Sequence, residues 1–395
     1  MKDILISSFD MEVGGVERSL ISMLNNFDYE NNNVDLMLYS HSGEFMNLLP
    51  KKTNLLKENK KYKTFRMSII DILKNKEILI AITRLYSKFK SKLSKSEENG
   101  YKQMQYIWKY SLPFLPKIKK EYDVAISYLW PHYFIADKVC AKTKIAWIHT
   151  DYSKIDTNIN LDLKMWNKFD YIVSISDEVT KSFVSKYPTL EKKIILIENI
   201  TSPKFVEEMS IKNQDEIIKE DGFNILSVGR FSYAKGFDNA IKAMKIIKDS
   251  NINDIKWYLI GYGPDENMLK DLIKENSLEE NFIILGKKTN PYPYMKACDL
   301  YVQPSRYEGK AVTVTEAQIL SKAVMITNYT TAKSQINDKI DGHICENSIK
   351  DIAKDILYLY DNKNVRDKLS NNCKNTNYSN DYELKKLYEI IVEEK

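Results

Sequence analysis

Residues 300–320 read LYVQPSRYEGKAVTVTEAQIL, and this stretch decides the fold class. An apolar run typical of a buried strand, LYVQPS, leads through a short loop into a segment that we interpret as the start of a helix. Glu308 and Glu316, separated by seven residues, stand at this junction. A helix N-terminus attracts phosphate through its free amides, whereas carboxylates suit the hydroxyl groups of a sugar or a ribose. The stretch therefore favours a nucleotide-sugar site, although a turn residue and a solvated helix acid would also explain the two glutamates.

Length and composition indicate a globular protein with two domains. The chain has 395 residues, of which 43% are hydrophobic and 29% charged, and domains usually contain about 100–200 residues. Its four cysteines lack the spacing of a metal site or a disulfide framework. The N-terminal run MKDILISSFD is too short for a signal peptide, and no apolar run reaches the roughly 20 residues of a membrane-spanning helix. We expect a cytoplasmic protein, peripheral at the inner face of the cytoplasmic membrane.

Short β-branched runs alternate with helical patterns along the chain, which is typical of parallel α/β architecture. The predicted strands lie near 3–9, 34–39, 123–128, 144–149, 171–176 and 193–198 in the first half. Those of the second half lie near 223–229, 257–261, 282–286, 300–304, 324–327 and 342–345. We predict a first domain at 1–200, a second at 201–379 and a terminal helix within 380–395, with 201–222 as a linker. Ligands of open parallel sheets bind at the carboxyl ends of the strands, so we expect the site in a cleft between the domains.

Four more segments accompany the spaced glutamates in a fixed order. After the strand DILISSF comes GGVERSL (14–20), then WIHTDY (147–152), SVGRFSYAKGFDNAIKA (227–243) and LIGYGPDE (259–266). The whole constellation resembles the family 4 glycosyltransferases, which are retaining enzymes with the GT-B fold. The resemblance is strongest over 223–345. It implies two Rossmann-like domains facing a central cleft, with the last helix crossing back to the first domain.

Two loops carry residues suited to a diphosphate. Gly14 and Gly15 lie between a predicted strand and helix, where missing side chains let backbone amides approach a ligand, although an ordinary tight turn would also use them. Arg230 and Lys235 lie after the strand FNILSVG, and a guanidinium and an ammonium together can neutralise a diphosphate. Two surface cations are the alternative. The resemblance favours the phosphate-binding role and places the glycine loop against the donor diphosphate and the acceptor.

The resemblance also implies roles for the remaining candidates. Glu308 would contact the transferred sugar near the reacting centre, Glu316 would hold the ribose hydroxyls, and His149, at the end of a predicted strand, would approach the donor sugar. A structural histidine is the alternative for His149. The other implied donor contacts are the amides of Gly309, Lys310, Ala311 and Val312, and the loop glycines Gly261 and Gly263. Lys310, Ala311 and Val312 depart from the residues common in relatives, which puts the identity of the donor in doubt.

The sequence predicts no metal site and no cofactor. It contains no Asp-x-Asp pair, and its four histidines lack ligand spacing. Enzymes of the other major glycosyltransferase fold hold a divalent cation through such an acidic pair. Here Arg230, Lys235 and helix amides would stabilise the departing diphosphate instead.

Residues 51–120 form a basic insert within the first domain. They hold 19 Lys or Arg and five Asp or Glu, a local charge of +14 in a chain of net charge +5. Ile78, Ile82, Leu85, Phe89 and Leu93 follow helical spacing, with lysines around them and Tyr106, Trp108 and Tyr110 nearby. This composition suits a helix at an anionic membrane surface. A helix packed on the first domain with a solvated basic back is the alternative, and the usual nucleic-acid-binding motifs are absent.

These observations favour a retaining, metal-independent glycosyltransferase. It would transfer a sugar from a nucleotide-sugar, UDP-linked by our interpretation, to a hydroxyl of a lipid-linked saccharide, a glycolipid or a surface polymer, in the synthesis of capsule, cell wall or other surface polysaccharide. An epimerase or a hydrolase of nucleotide-sugars is an alternative within the same fold. A non-catalytic protein that binds a membrane surface or an anionic polymer is a further one.

Overall fold

The computed structural model describes residues 1–92, 100–212, 222–308 and 310–392. The chain divides into two compact units, each with its own hydrophobic core. Unit 1 comprises Met1–Ile200 and Asn380–Lys395, and unit 2 comprises Thr201–Ser379. Each unit is built on a parallel sheet with helices, so the chain belongs to the α/β class.

Within the described residues, unit 1 has a seven-stranded parallel sheet in the order β3-β2-β1-β4-β5-β6-β7. Its strands are β1 (Lys2–Ser8), β2 (Asn32–Leu38), β3 (Asn54–Leu55), β4 (Glu121–Ser127), β5 (Cys140–Ile148), β6 (Tyr171–Ser174) and β7 (Ile194–Leu196). Its first eight helices are α1 (Gly15–Asn25), α2 (Lys60–Lys63), α3 (Ile69–Lys74), α4 (Ile78–Lys92), α5 (Gly100–Ser111), α6 (Tyr133–Lys138), α7 (Ile159–Trp166) and α8 (Asp177–Lys186). The six predicted strands are confirmed, and the two-residue edge strand β3 was not predicted.

Unit 2 has a six-stranded parallel sheet in the order β10-β9-β8-β11-β12-β13, over the part of the chain that the structure describes. Its strands are β8 (Phe223–Val228), β9 (Ile255–Ile260), β10 (Phe282–Gly286), β11 (Leu300–Gln303), β12 (Ala323–Thr327) and β13 (His343–Cys345). Its helices are α9 (Pro203–Ser210), α10 (Phe237–Asp249), α11 (Glu266–Glu275), α12 (Tyr292–Ala297), α13 (Val312–Ile319), α14 (Ala332–Gln335), α15 (Ile349–Asp361) and α16 (Lys363–Lys374). All six predicted strands of this half are confirmed.

The structure adds detail for two segments, the predicted linker at 201–222 and the predicted terminal helix within 380–395. Part of the predicted linker forms α9, because Ser202 caps its amides and Val206 and Met209 are buried. The last helix, α17 (Glu383–Val392), belongs to unit 1. There the Tyr388 hydroxyl accepts a hydrogen bond from the amide of Asp28, at 2.8 Å.

The strand order places a topological switch point in each unit. In unit 1 the order reverses between β1 and β4, and in unit 2 between β8 and β11. Loops that leave adjacent strands in opposite directions at such a point open a crevice at the carboxyl ends of the strands, where ligands of these folds bind. In unit 2 the two loops are 229–236, after β8, and 304–311, after β11.

Candidate functional site

Lys235 and Glu308, predicted for separate tasks, form an ion pair at the switch point of unit 2. The Lys235 Nζ atom lies 2.5 Å from Glu308 Oε1, although 73 residues separate them in the sequence. The Glu308 side chain is only 10% exposed. Its Oε1 also accepts hydrogen bonds from Ser305 Oγ at 2.6 Å and from Gln303 Nε2 at 3.3 Å. Donors from both loops and from the last residue of β11 therefore hold this carboxylate in one orientation.

Gly236 allows the two loops to approach this closely. Its φ of +65° is left-handed, and a Cβ atom there would lie 2.0 Å from the carbonyl oxygen of Pro304. Arg306, which the sequence analysis did not single out, joins the same loops. Its amide donates to the Ala234 carbonyl at 2.8 Å, and its guanidinium pairs with both carboxylate oxygens of Asp238 at 2.7 Å. The geometry of the Lys235–Glu308 pair thus depends on two backbone contacts between the loops. These are the approach of Gly236 to the Pro304 carbonyl and the hydrogen bond from the Arg306 amide to the Ala234 carbonyl.

Arg230 is exposed. The loop that carries it packs directly against the backbone at Gly261 and Gly263. A Cβ atom at Gly261 would lie 1.9 Å from the Gly229 carbonyl oxygen, and one at Gly263 would lie 2.3 Å from that of Phe231. Both glycines therefore have a packing reason to lack side chains. Their predicted contact with a donor stays a prediction.

The N-terminus of α13 is engaged by a residue that the sequence analysis missed. The Ala311 amide donates to Gln335 Oε1 at 3.2 Å, and Gln335 Nε2 donates to the Ala311 carbonyl at 2.6 Å. Lys310 is exposed, and Val312 is the first residue of the helix. Gly309 lies outside the described residues. A phosphate bound at the amides of this turn would compete with Gln335 for the Ala311 N–H.

Glu316 lies one helical turn into α13 and is 2% exposed. Its Oε1 accepts a hydrogen bond of 2.8 Å from the hydroxyl of Tyr292, the first residue of α12. Burial of a carboxylate is costly unless hydrogen bonds compensate for lost water, so Tyr292 stabilises Glu316 in place. The PYPY segment at 291–294 gave no signal of this contact.

In unit 1, His149 follows β5 and is held as a neutral ring. Its Nε2 donates to the Tyr128 carbonyl at 3.0 Å, since a carbonyl oxygen can only accept. Its Nδ1 is buried without a hydrogen-bond partner among the described residues. Burial lowers the pKa of His149 to about 4, so the ring is uncharged at neutral pH.

The predicted glycine pair begins α1. Gly14 is its N-cap residue, and a side chain at the exposed Gly15 would meet no other atom within 4 Å. The Glu17 carboxylate folds back over Gly14, with Oε2 2.2 Å from where a Cβ atom would stand. Burial, with a smaller contribution from the like charge of Asp10, raises the pKa of Glu17 to about 7. Glu17 has no local sequence signal that predicts this shift.

No group of three or more His, Cys, Asp or Glu side chains among the described residues could hold a metal ion. None of the described helices combines the length and the apolar composition needed to cross a membrane. The predicted independence from metals stays a prediction.

The chain resembles known proteins over both units. Residues 209–376 match the family model described as Glycosyl transferases group 1. An uncharacterized glycosyltransferase of Methanocaldococcus jannaschii is 28% identical over 225 residues, 52% of this chain and 54% of that protein. A Campylobacter jejuni protein named N-acetylgalactosamine-N,N'-diacetylbacillosaminyl-diphospho-undecaprenol 4-alpha-N-acetylgalactosaminyltransferase is 28% identical over 190 residues, 48% of this chain and 50% of that protein. The chain thus spans about half the length of these curated relatives.

Among solved structures, the chain is similar to Alr3699/HepE of Anabaena in complex with UDP and glucose, with a TM-score of 0.69 at 14% identity. The alignment covers 99% of both chains. At this identity the similarity shows the fold, and it extends over both parallel-sheet units. Residues 209–376 are therefore similar to the glycosyl transferases group 1 family, and the chain has the GT-B fold.

Proposed function

We propose that the protein is a retaining, metal-independent glycosyltransferase that transfers a sugar from a UDP-linked donor to a hydroxyl of a membrane-associated or polymeric acceptor. The observation that carries this proposal is the Lys235–Glu308 pair beside the first turn of α13, at the switch point of unit 2. It brings together a cation for phosphate, a carboxylate for sugar hydroxyls and a helix N-terminus.

The donor diphosphate would bind at Lys235 and Arg230. Negative charge on the diphosphate grows as its bond to the sugar breaks, so fixed cations stabilise the transition state more than the ground state. The phosphate would compete with Glu308 for the Lys235 ammonium, which would leave the Glu308 carboxylate available to the sugar hydroxyls. Glu316, held by Tyr292, would accept hydrogen bonds from the ribose.

A UDP donor is supported by the UDP and glucose bound to the Anabaena protein of the same fold. The retaining outcome follows from the family 4 resemblance. In a retaining reaction the acceptor oxygen bonds to the anomeric carbon on the face that the diphosphate leaves. We assign no enzyme carboxylate as the nucleophile, so the departing phosphate oxygen would take the acceptor proton.

The acceptor that we propose is a polyprenyl-diphosphate-linked saccharide, a glycolipid or a surface polymer. The name of the Campylobacter jejuni relative describes a diphospho-undecaprenol acceptor. The local charge of +14 at residues 51–120 is suited to the anionic surface in which such an acceptor is embedded.

A donor screen with product analysis tests the proposal. Purified protein is incubated with a panel of UDP-, GDP- and ADP-sugars, with and without a lipid-linked acceptor, in buffer with EDTA. We expect acceptor-dependent release of UDP and a product whose anomeric configuration matches that of the donor. Release that is independent of acceptor would indicate a hydrolase. Loss of activity in EDTA with rescue by Mg²⁺ or Mn²⁺ would contradict metal independence, and no release from any donor would contradict a transferase.

A further inference from the structure

Helix α4 turns small polar side chains toward its own protein. Thr83, Ser87 and Ser91 are buried. The Thr83 and Ser111 hydroxyls lie 2.7 Å apart and join α4 to α5, and the Ser87 hydroxyl donates to the Thr83 carbonyl at 2.6 Å. The neighbouring α5 is anchored in the core of unit 1, where Trp108 stacks on Phe65 with ring centroids 4.2 Å apart. The inner side of α4 therefore carries these hydroxyl groups together with the buried Ile80 and Ala81.

The outer side of α4 carries large apolar side chains. At helical spacing these are Ile78, Leu79, Ile82, Leu85, Tyr86 and Phe89, and the adjacent α3 adds Ile70 and Leu73; we call these eight residues the apolar face. Each of them is between 47% and 66% exposed. Exposed apolar residues scattered singly are ordinary, whereas eight on two neighbouring helices indicate a binding surface. The helix packs on unit 1, as the alternative interpretation expected, and its solvated side carries these apolar side chains together with the exposed Lys88.

Tyrosines and lysines border the apolar face. The rings of Tyr86 and Tyr110 lie edge to face with centroids 4.9 Å apart. The Lys90 ammonium lies 5.9 Å from the ring centroids of both Tyr106 and Tyr110, and Lys88 is exposed on α4 itself. Aromatic rings with a polar tip and lysines with long apolar stems are the side chains that occupy the headgroup level of a bilayer.

We propose that the apolar face inserts into the headgroup–acyl boundary of an anionic phospholipid bilayer. The inference rests on the proposed function only in naming the acceptor's membrane as the relevant one. An apolar stripe bordered by tyrosine and lysine has the composition of a helix lying in the membrane interface. Anionic headgroups also complement the +14 of residues 51–120, whereas a second copy of the chain would bring like charges together.

Two basic side chains of α3 and α4 are engaged within unit 1. We therefore attribute the binding of this surface to the bilayer mainly to apolar insertion and less to charge than the sequence suggested. The Arg84 guanidinium points inward and donates to the carbonyls of Thr64 and Met67, at 3.1 and 3.4 Å. The Lys74 ammonium lies 3.9 Å from Asp71. The side chain of Lys92 lies outside the described part of the chain. Salt should therefore weaken vesicle binding without abolishing it.

The test is flotation of full-length protein with vesicles of phosphatidylglycerol and phosphatidylcholine, in the absence of donor and acceptor. The variant is Ile82→Ser/Phe89→Ser, and the control is Met268→Ser/Ile340→Ser, which replaces two exposed apolar residues of unit 2. We expect the variant to bind at least about tenfold more weakly and the control to bind like the wild type. A Phe89→Trp variant should shift its emission to the blue on vesicles, and an Ile340→Trp variant should not.

Equal binding by variant and wild type, or no shift for Phe89→Trp, would overturn the proposal. A wild-type dimer in solution that the double substitution dissolves, with no vesicle binding, would overturn it in favour of a second copy. The UDP-release assay with a soluble acceptor analogue separates this result from the proposed function. Vesicle binding without UDP release refutes only the transferase, and UDP release without vesicle binding refutes only the insertion.

Discussion

Two regions of this protein depart in opposite ways from the usual distribution of polar and apolar side chains. At the switch point of unit 2, Lys235 and Glu308 are largely buried and satisfy each other at 2.5 Å. On α4, side chains such as Phe89, 62% exposed, lie in solvent while serines are buried. Both arrangements cost stability in an isolated protein, through desolvation in the first and lost apolar burial in the second. The contrast is consistent with our two proposals, a charged ligand for the first region and a bilayer for the second.

The largest effect should come from Lys235→Ala. The substitution removes the cation at the departing diphosphate, so we expect kcat to fall about 100- to 1000-fold. Vesicle binding should not change. Lys245→Ala, which removes an exposed lysine paired with Asp249 on α10, is the matched control. Steady-state kinetics with a thermal melt measure both variants. Full activity of Lys235→Ala would contradict its place at the diphosphate.

The second prediction compares an inward and an outward isoleucine. Ile241 on α10 is fully buried, whereas Ile82 is on the apolar face. We expect Ile241→Ala to lower the free energy of unfolding by about 2–5 kcal/mol through a cavity and lost burial. Ile82→Ala should change it by no more than about 0.5 kcal/mol. Urea unfolding measures both, and a large loss of stability for Ile82→Ala would show that its side chain supports the fold.

This pair of isoleucines also shows that the sequence predicts where a helix forms but not which of its faces is buried. Periodicity predicts α4 and α10 equally well, because both repeat apolar residues at helical spacing. It does not tell which face of a helix is buried, because that depends on the neighbouring elements that the helix packs against, such as α5 for α4. Strands were predictable because each is a short apolar run between turn residues.

The same reasoning applies to the site. Glu308, Lys235 and Arg230 were found from local motifs and the resemblance. Their pairing was not, because contact across 73 residues depends on the approach of Gly236 to Pro304. Gln335 and Tyr292 have no local signal, since their significance lies in the atoms they contact at Ala311 and Glu316.

The third prediction concerns Glu17, a buried acid of unit 1. The folded-state pKa of Glu17 is about 7, above its ordinary value of 4.5, so folded protein binds more protons than unfolded protein between these pH values. Glu17 therefore lowers stability as pH rises through this window. Glu17→Gln should be more stable than wild type by about 3 kcal/mol at pH 8 and equal to it near pH 4. Unfolding measured against pH tests this, and a constant difference would contradict the raised pKa.

The smallest effect is expected at the ribose contact. Glu316→Gln should raise the donor KM about tenfold with little change in kcat, because the contact is made in ground and transition states alike. Tyr292→Phe, which removes one hydrogen bond to Glu316, should raise KM less. A large fall in kcat with unchanged donor KM would place Glu316 at the reacting centre instead.

The central claim is that Lys235 and Arg230 of unit 2 hold a nucleoside diphosphate. Calorimetric titration of UDP tests this claim most directly. The account predicts that wild-type protein and the Ile82→Ser/Phe89→Ser variant bind UDP equally, and that Lys235→Ala and Arg230→Ala bind it at least about tenfold more weakly. Undiminished UDP binding by Lys235→Ala and Arg230→Ala would contradict it.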